Sequence, residues 1–177
     1  MKRRVLKILT IFLLNFTALS FCQAGKETPL SQTPRLAGKA ILVSSHATIL
    51  TGKSALPLFK PCSRNPPAHI TGYWTPAVSD IQQLERDAPT YLKAQKRTTP
   101  EMMVKDYRQY AGFIQQGRKM IYVNGFQDPE DPGYPSHGHT QWQSKAVVAC
   151  DGGPSYYGIE YDPQTRQFYH LEFNGFI

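Results

Sequence analysis

The sequence predicts an α+β fold, with one bent helix packed on an antiparallel sheet of about five strands. Three observations lead there. A single stretch near the middle, from Val78 to Leu92, repeats apolar residues at three- and four-residue spacing. Two others, Lys105 to Phe126 and Ala146 to Phe176, consist of short aromatic-rich runs broken by polar turns. The 177-residue chain has room for one core and shows no internal repeat or linker that would divide it.

The chain opens on Met1-Lys2-Arg3-Arg4, continues through a largely apolar run from Val5 to Phe21, and reaches Cys22-Gln23-Ala24 before Gly25. That order of charge, apolar core and small residues is the order of a secretory signal peptide, with cleavage expected after Ala24. Nothing later is apolar for long enough to span a bilayer. The expected product is a soluble periplasmic or secreted protein. The alternative is a lipoprotein acylated at Cys22, which would tie the chain to a membrane; Phe21 opposes it, because a small residue is required before the acylated cysteine. The net charge of +7 falls to +3 without the leader, which holds four of the twenty basic residues against thirteen acidic ones further on. No nucleic-acid partner is expected, and Lys93, Lys96, Arg97, Lys105 and Arg108 read as a solvated stretch.

Residues 1–24 are thus assigned to the signal peptide, 25–38 to a flexible segment rich in Pro, Thr, Ser and Gln, and 39–177 to a single α+β domain. Lys39 to Leu50 reads as a strand interrupted at Ser44-Ser45-His46, with a short helix as the alternative. Thr51 to Thr71 carries too many prolines for a helix or central strand and reads as a surface loop. Thr75-Pro76 offers a cap and a first-turn proline for the helix, whose stripe is Val78, Ile81, Leu84, Ala88, Tyr91 and Leu92. Pro89 predicts a bend, or an end near Asp87 with a second helix from Thr90 to Lys96. Tyr73-Trp74 are expected to pack on the first turns as core.

Lys105 to Phe126 forms a hairpin turning at Gln115-Gln116-Gly117-Arg118. Three more strands are expected from Ala146 to Cys150, Tyr156 to Tyr161 and Phe168 to Phe173. In the last pair a loop of Pro163, Gln164 and Thr165 sets Tyr161 opposite Gln167, so Tyr157, Ile159 and Tyr161 share a face with Tyr169, Leu171 and Phe173. The other face is mixed, and Tyr156, Phe168 and His170 on it form a candidate binding surface.

Without the leader, Cys62 and Cys150 are the remaining cysteines, and in an exported chain they pair. The bond would tie the proline-rich loop to the first of the three C-terminal strands. The candidate for chemistry is the polar stretch from Gln127 to Gln141, where His137 and His139, with Asp128, Glu130 or Asp131, have the donor types of a zinc, copper or nickel site. Other signatures are missing: no phosphate-binding glycine loop, no paired-histidine protease helix, and no nucleophile elbow around Ser44 or Ser45. Two functions follow. The first is an exported, non-enzymatic binding or protein-interaction module for a protein or small ligand, without a cofactor. The second is a small metal-dependent exported hydrolase using His137 and His139. The first is preferred because it requires no special residue.

Overall fold

The computed structural model describes residues 38–96, 98–127 and 139–175, all within a unit spanning Pro34–Ile177. The expected signal peptide, Cys22, the cleavage point at Ala24 and the tether up to residue 37 lie outside them. So do residues 128–138, with Asp128, Glu130, Asp131 and His137.

Among the described residues seven strands form one mixed sheet: β1 (Ala40–Ser44), β2 (Ala47–Leu50), β3 (Ile70–Trp74), β4 (Tyr107–Gln115), β5 (Arg118–Phe126), β6 (Tyr156–Asp162) and β7 (Gln167–Phe173). The order is β1-β2-β4-β5-β6-β7, and β3 lies along the same edge of β4 as β2. The first half of β4, Arg108 to Tyr110, pairs with β2, and the second half, Gly112 to Gln115, pairs with β3. The sheet is therefore larger than the expected five strands and is not purely antiparallel, since β2 runs parallel to β4. A long crossover from Thr51 to Asp106 makes that pairing available. The extra strands arise where residues 45–46 turn β1 back into β2, and where Ile70–Trp74 resumes an extended course after the prolines.

The β4–β5 hairpin closes on the pair Gln115 and Arg118, with Gln116 (φ 51°) and Gly117 (φ 78°) both left-handed. Such a two-residue turn matches the twist of its strands. The β6–β7 hairpin departs from expectation by one residue. Asp162, not Tyr161, faces Gln167, because the Asp162 carboxylate accepts the amides of Gln164 (2.8 Å) and Thr165 (3.2 Å) and so widens the turn. Phe168 consequently faces Tyr161, and Tyr169 turns to the opposite side of the sheet. A bulge at His170 (φ 50°) then restores the expected facing for Leu171 and Phe173.

Helix α1 (Val78–Lys93) buries Ile81, Leu84, Ala88 and Leu92. It starts two residues later than Thr75-Pro76 suggests, because the Asp80 carboxylate accepts the Ala77 amide at 2.8 Å and so closes the first turn there. It continues through Pro89 to Lys93 instead of ending near Asp87. No second helix starts at Thr90; a four-residue helix, α2 (Met102–Lys105), follows instead. No helix among the described residues is long and apolar enough to cross a membrane.

The sheet buries both faces. Against α1 lie Ala47, Ile49, Tyr110, Ile121, Val123, Tyr157, Ile159 and Tyr161. On the other side, Leu50, Ala111, Phe113, Met120 and Tyr122 pack on Ala55, Leu58 and Phe59. The proline-rich stretch is thus more than a surface loop, since two 3-10 turns, Gly52–Ser54 and Leu56–Phe59, carry those apolar side chains onto the sheet. Trp74 is partly buried as expected and donates Nε1–H to the carbonyls of Phe113 (3.1 Å) and Met120 (2.9 Å). Tyr73 instead faces outward, 44 % exposed, beside Phe59.

Cys62 and Cys150 form a disulfide, with their Cα atoms 4.7 Å apart. The residues around Cys150 are not a strand, however: 145–152 runs in irregular conformation. Closing so long a loop constrains the unfolded chain by roughly 4–5 kcal/mol in the loop-entropy description. Cys62→Ser and Cys150→Ser are expected to lower unfolding free energy in urea to similar extents, with the double variant adding little. Wild-type stability in either single variant would refute that.

Candidate functional site

A polar row crosses five strands on the face away from α1. Thr48, Gln109, Asn124, Gly158 and Glu172 are successive cross-strand partners on β2, β4, β5, β6 and β7. A buried polar side chain must find partners, and Thr48, Gln109 and Asn124 find them in the backbone of an irregular strap, residues 142–151. Gln109 donates Nε2–H to the carbonyls of Trp142 (2.5 Å) and Lys145 (2.6 Å), and its Oε1 accepts the Val147 amide (2.8 Å) and an Asn124 N–H (3.1 Å). Asn124 also donates to the Val147 carbonyl (3.0 Å), and Thr48 to that of Gln143 (3.0 Å).

Further along, Asn174 donates to the carbonyls of Ala149 (2.8 Å) and Asp151 (3.0 Å). Arg64 links the two halves: it donates to Asn174 Oδ1 (2.5 Å), to the Tyr122 hydroxyl (2.9 Å) and to Asn124 Oδ1. Gly158 makes room for this guanidinium, since a Cβ there would lie 2.8 Å from Arg64 Nε and 2.3 Å from the Tyr122 oxygen. Glu172 completes the row by accepting from Asn65.

The strap's outer side forms a pocket of about 370 Å³ with His139, Val148, Ala149, Asp151, Gly152 and Tyr156. Its apolar wall is Val148, 40 % exposed, and the Tyr156 ring. The His139 Nε2 and the Tyr156 hydroxyl lie 3.2 Å apart. Gly152 is left-handed (φ 86°), and a Cβ there would come within 2.7 Å of the Tyr156 ring. Glycine is needed for both the turn and the close approach.

Of the residues singled out from the sequence, His139 and Tyr156 meet in this pocket, and Cys150 lines it through the disulfide. Phe168 lies on the α1 side, stacked on Tyr91 at a centroid distance of 4.9 Å, and His170 is exposed, with Nδ1 3.1 Å from Glu160. The three do not share one surface, because the wider turn carried Phe168 to the other face. His137 lies outside the described residues, and among those described no three His, Cys, Asp or Glu side chains gather to hold a metal. Sequence reading missed Gln109, Asn124, Arg64 and Asn174. The signal was there for the first two, which interrupt apolar runs at positions that the Gln116-Gly117 turn makes direct partners.

A second titratable cluster sits on the α1 face. Glu85 Oε1 accepts from Arg108 (2.8 and 3.1 Å) and from the Tyr110 hydroxyl (2.7 Å), and Arg108 also donates to the Asp106 carbonyl. Burial pushes the Asp106 carboxyl up to about 6, although Arg108 and the neighbouring Tyr157 hydroxyl pull the other way. Burial likewise raises the Tyr110 and Tyr157 hydroxyls well above their usual range.

No protein family, curated protein or solved structure matches this chain.

Two outcomes test the chemistry. Gln109→Leu leaves the Val147 amide and an Asn124 N–H without an acceptor, and is expected to cost about 2–4 kcal/mol in urea unfolding, with faster exchange of the Val147 amide hydrogen. An unchanged Val147 exchange rate would show the strap is held otherwise. For Asp106, the folded pKa of about 6 lies above the ordinary 3.8. The native state therefore binds more protons between those values, and this group's contribution falls as pH rises through that window. Asp106→Asn should raise the melting temperature at pH 7.5 and lose that advantage towards pH 4. A pH-independent difference would contradict it.

Proposed function

We propose that this chain is an exported, non-enzymatic binding or protein-interaction module, and that its small ligand or protein partner engages the pocket at His139, Val148 and Tyr156. The observation that carries this reading is the way the pocket is held. Its floor is backbone fixed from beneath by Gln109, Asn124 and Asn174 and from the side by Cys150, so little ordering is left for binding to require. Apolar walls with a few polar points, here the His139 ring, the Tyr156 hydroxyl and Asp151, suit recognition. Several carboxylates already have structural duties: Glu85 with Arg108, Asp87 with Arg166, Asp162 in its turn and Glu172 on Asn65. The basic and apolar start of the chain and the disulfide suit export.

The second reading, a metal-dependent hydrolase, draws on His139 reaching the same pocket. One experiment separates them. Indole and phenol are titrated into isotope-labelled protein that starts at Gly25, with metal assayed on the same sample. Saturable amide shifts at Val148 to Gly152 and Tyr156, lost in Val148→Asp and indifferent to chelator, are expected. A stoichiometric metal, with ester or peptide hydrolysis that chelation abolishes, would overturn the binding-module reading in favour of the enzyme.

A further inference from the structure

A groove between α1 and the β6–β7 turn encloses about 500 Å³, away from the strap. Arg86, Asp87, Thr90 and Tyr91 reach it from α1, and Arg166 and Phe168 from the turn and β7. Its charges are ordered. Asp87 is saturated: Arg166 donates twice (3.0 and 2.5 Å), and Tyr161 (2.8 Å) and Gln83 (3.0 Å) complete its oxygens. These donors hold its carboxyl down to about 2, so it stays ionised and neutralises one guanidinium. Arg166 is aimed at α1 by a left-handed backbone (φ 58°) and uses Nε and Nη2 on Asp87, which leaves Nη1 for another acceptor. Arg86 is steadied by Gln83 Oε1 at 2.9 Å and meets no carboxylate among the described residues.

The groove thus carries one uncompensated positive charge, with two oriented guanidiniums beside a rigid aromatic floor. Tyr91 stacks on Phe168 at 21° between planes, and Phe168 leans on Tyr161 at 4.7 Å. Guanidinium forks fit planar carboxylates, and aromatic faces and edges favour other rings. We propose that this groove binds a small organic monoanion, its carboxylate between Arg86 and Arg166 and its apolar ring against Tyr91 and Phe168. The site is independent of the pocket at His139.

Benzoate, benzyl alcohol and inorganic phosphate, titrated by calorimetry and amide NMR at pH 7, separate ring from charge. Benzoate is expected to saturate in the millimolar range with shifts at Arg86, Thr90, Arg166 and Phe168, and the other two to bind at least about tenfold more weakly. Arg86→Gln, which leaves the Asp87–Arg166 pair in place, should weaken benzoate by about tenfold at an unchanged melting temperature. Phosphate binding as tightly as benzoate, no saturation by benzoate, or wild-type benzoate affinity in Arg86→Gln would each overturn the assignment.

Discussion

Gln109 makes three of its four hydrogen bonds to a segment that has no strand to pair with, and the fourth to Asn124 of β5. Two N–H groups and two lone pairs go to Trp142, Lys145, Val147 and Asn124, so a primary amide does for the strap what a neighbouring strand's backbone does elsewhere in the sheet. The consequence is architectural. A strap whose amides and carbonyls are answered by side chains can lie over the sheet face instead of joining its edge. Its outward atoms, Val148 to Gly152, are then free to shape a pocket. The disulfide adds covalent closure at the far end, where Asn174 takes over the carbonyls of Ala149 and Asp151.

The two faces of the sheet solve the burial problem differently. Towards α1 the core is apolar, and polar groups there satisfy each other in two clusters, Glu85 with Arg108 and Tyr110, and Asp87 with Tyr161 and Arg166. Away from α1 no α-helix among the described residues covers the sheet. Two 3-10 turns cover part of it with Leu58 and Phe59, and the polar row holds irregular backbone over the rest. Loop backbone can be buried only where its polar groups find partners, so the row on β2, β4 and β5 is a condition of the strap's position.

Much of this was legible, and the failures have specific causes. The disulfide followed from cysteine arithmetic, the β4–β5 turn from Gln116-Gly117, and the buried stripe of α1 from its spacing. The α1 start was misplaced because Asp80 caps Ala77 from inside the helix. Ala146 to Cys150 read as a strand because Val147 and Val148 have strand composition; nothing local reveals that side chains on β4 and β5 would answer its backbone. His139 and Tyr156 were visible as chemistry-bearing residues, whereas Val148, Gly152 and the α1 groove were not. Those sites are assembled from segments that only the tertiary fold brings together.

The β6–β7 turn shows how one local bond reaches a candidate site. Asp162 caps Gln164 and Thr165, which widens the turn by a residue and rotates Phe168 under Tyr91. The same widening leaves Arg166 as the last turn residue, in the left-handed conformation that delivers its guanidinium to Asp87. The narrower turn would have placed Tyr169 against α1. The bulge at His170 then absorbs the extra residue, so Leu171 and Phe173 still pack on the α1 face beside Tyr157 and Ile159. A left-handed non-glycine residue is uncommon, and two within five positions call for compensating contacts. Arg166 has its pair with Asp87, and His170 has Glu160. The register of the last hairpin and the groove beside α1 are therefore one structural decision, made at Asp162.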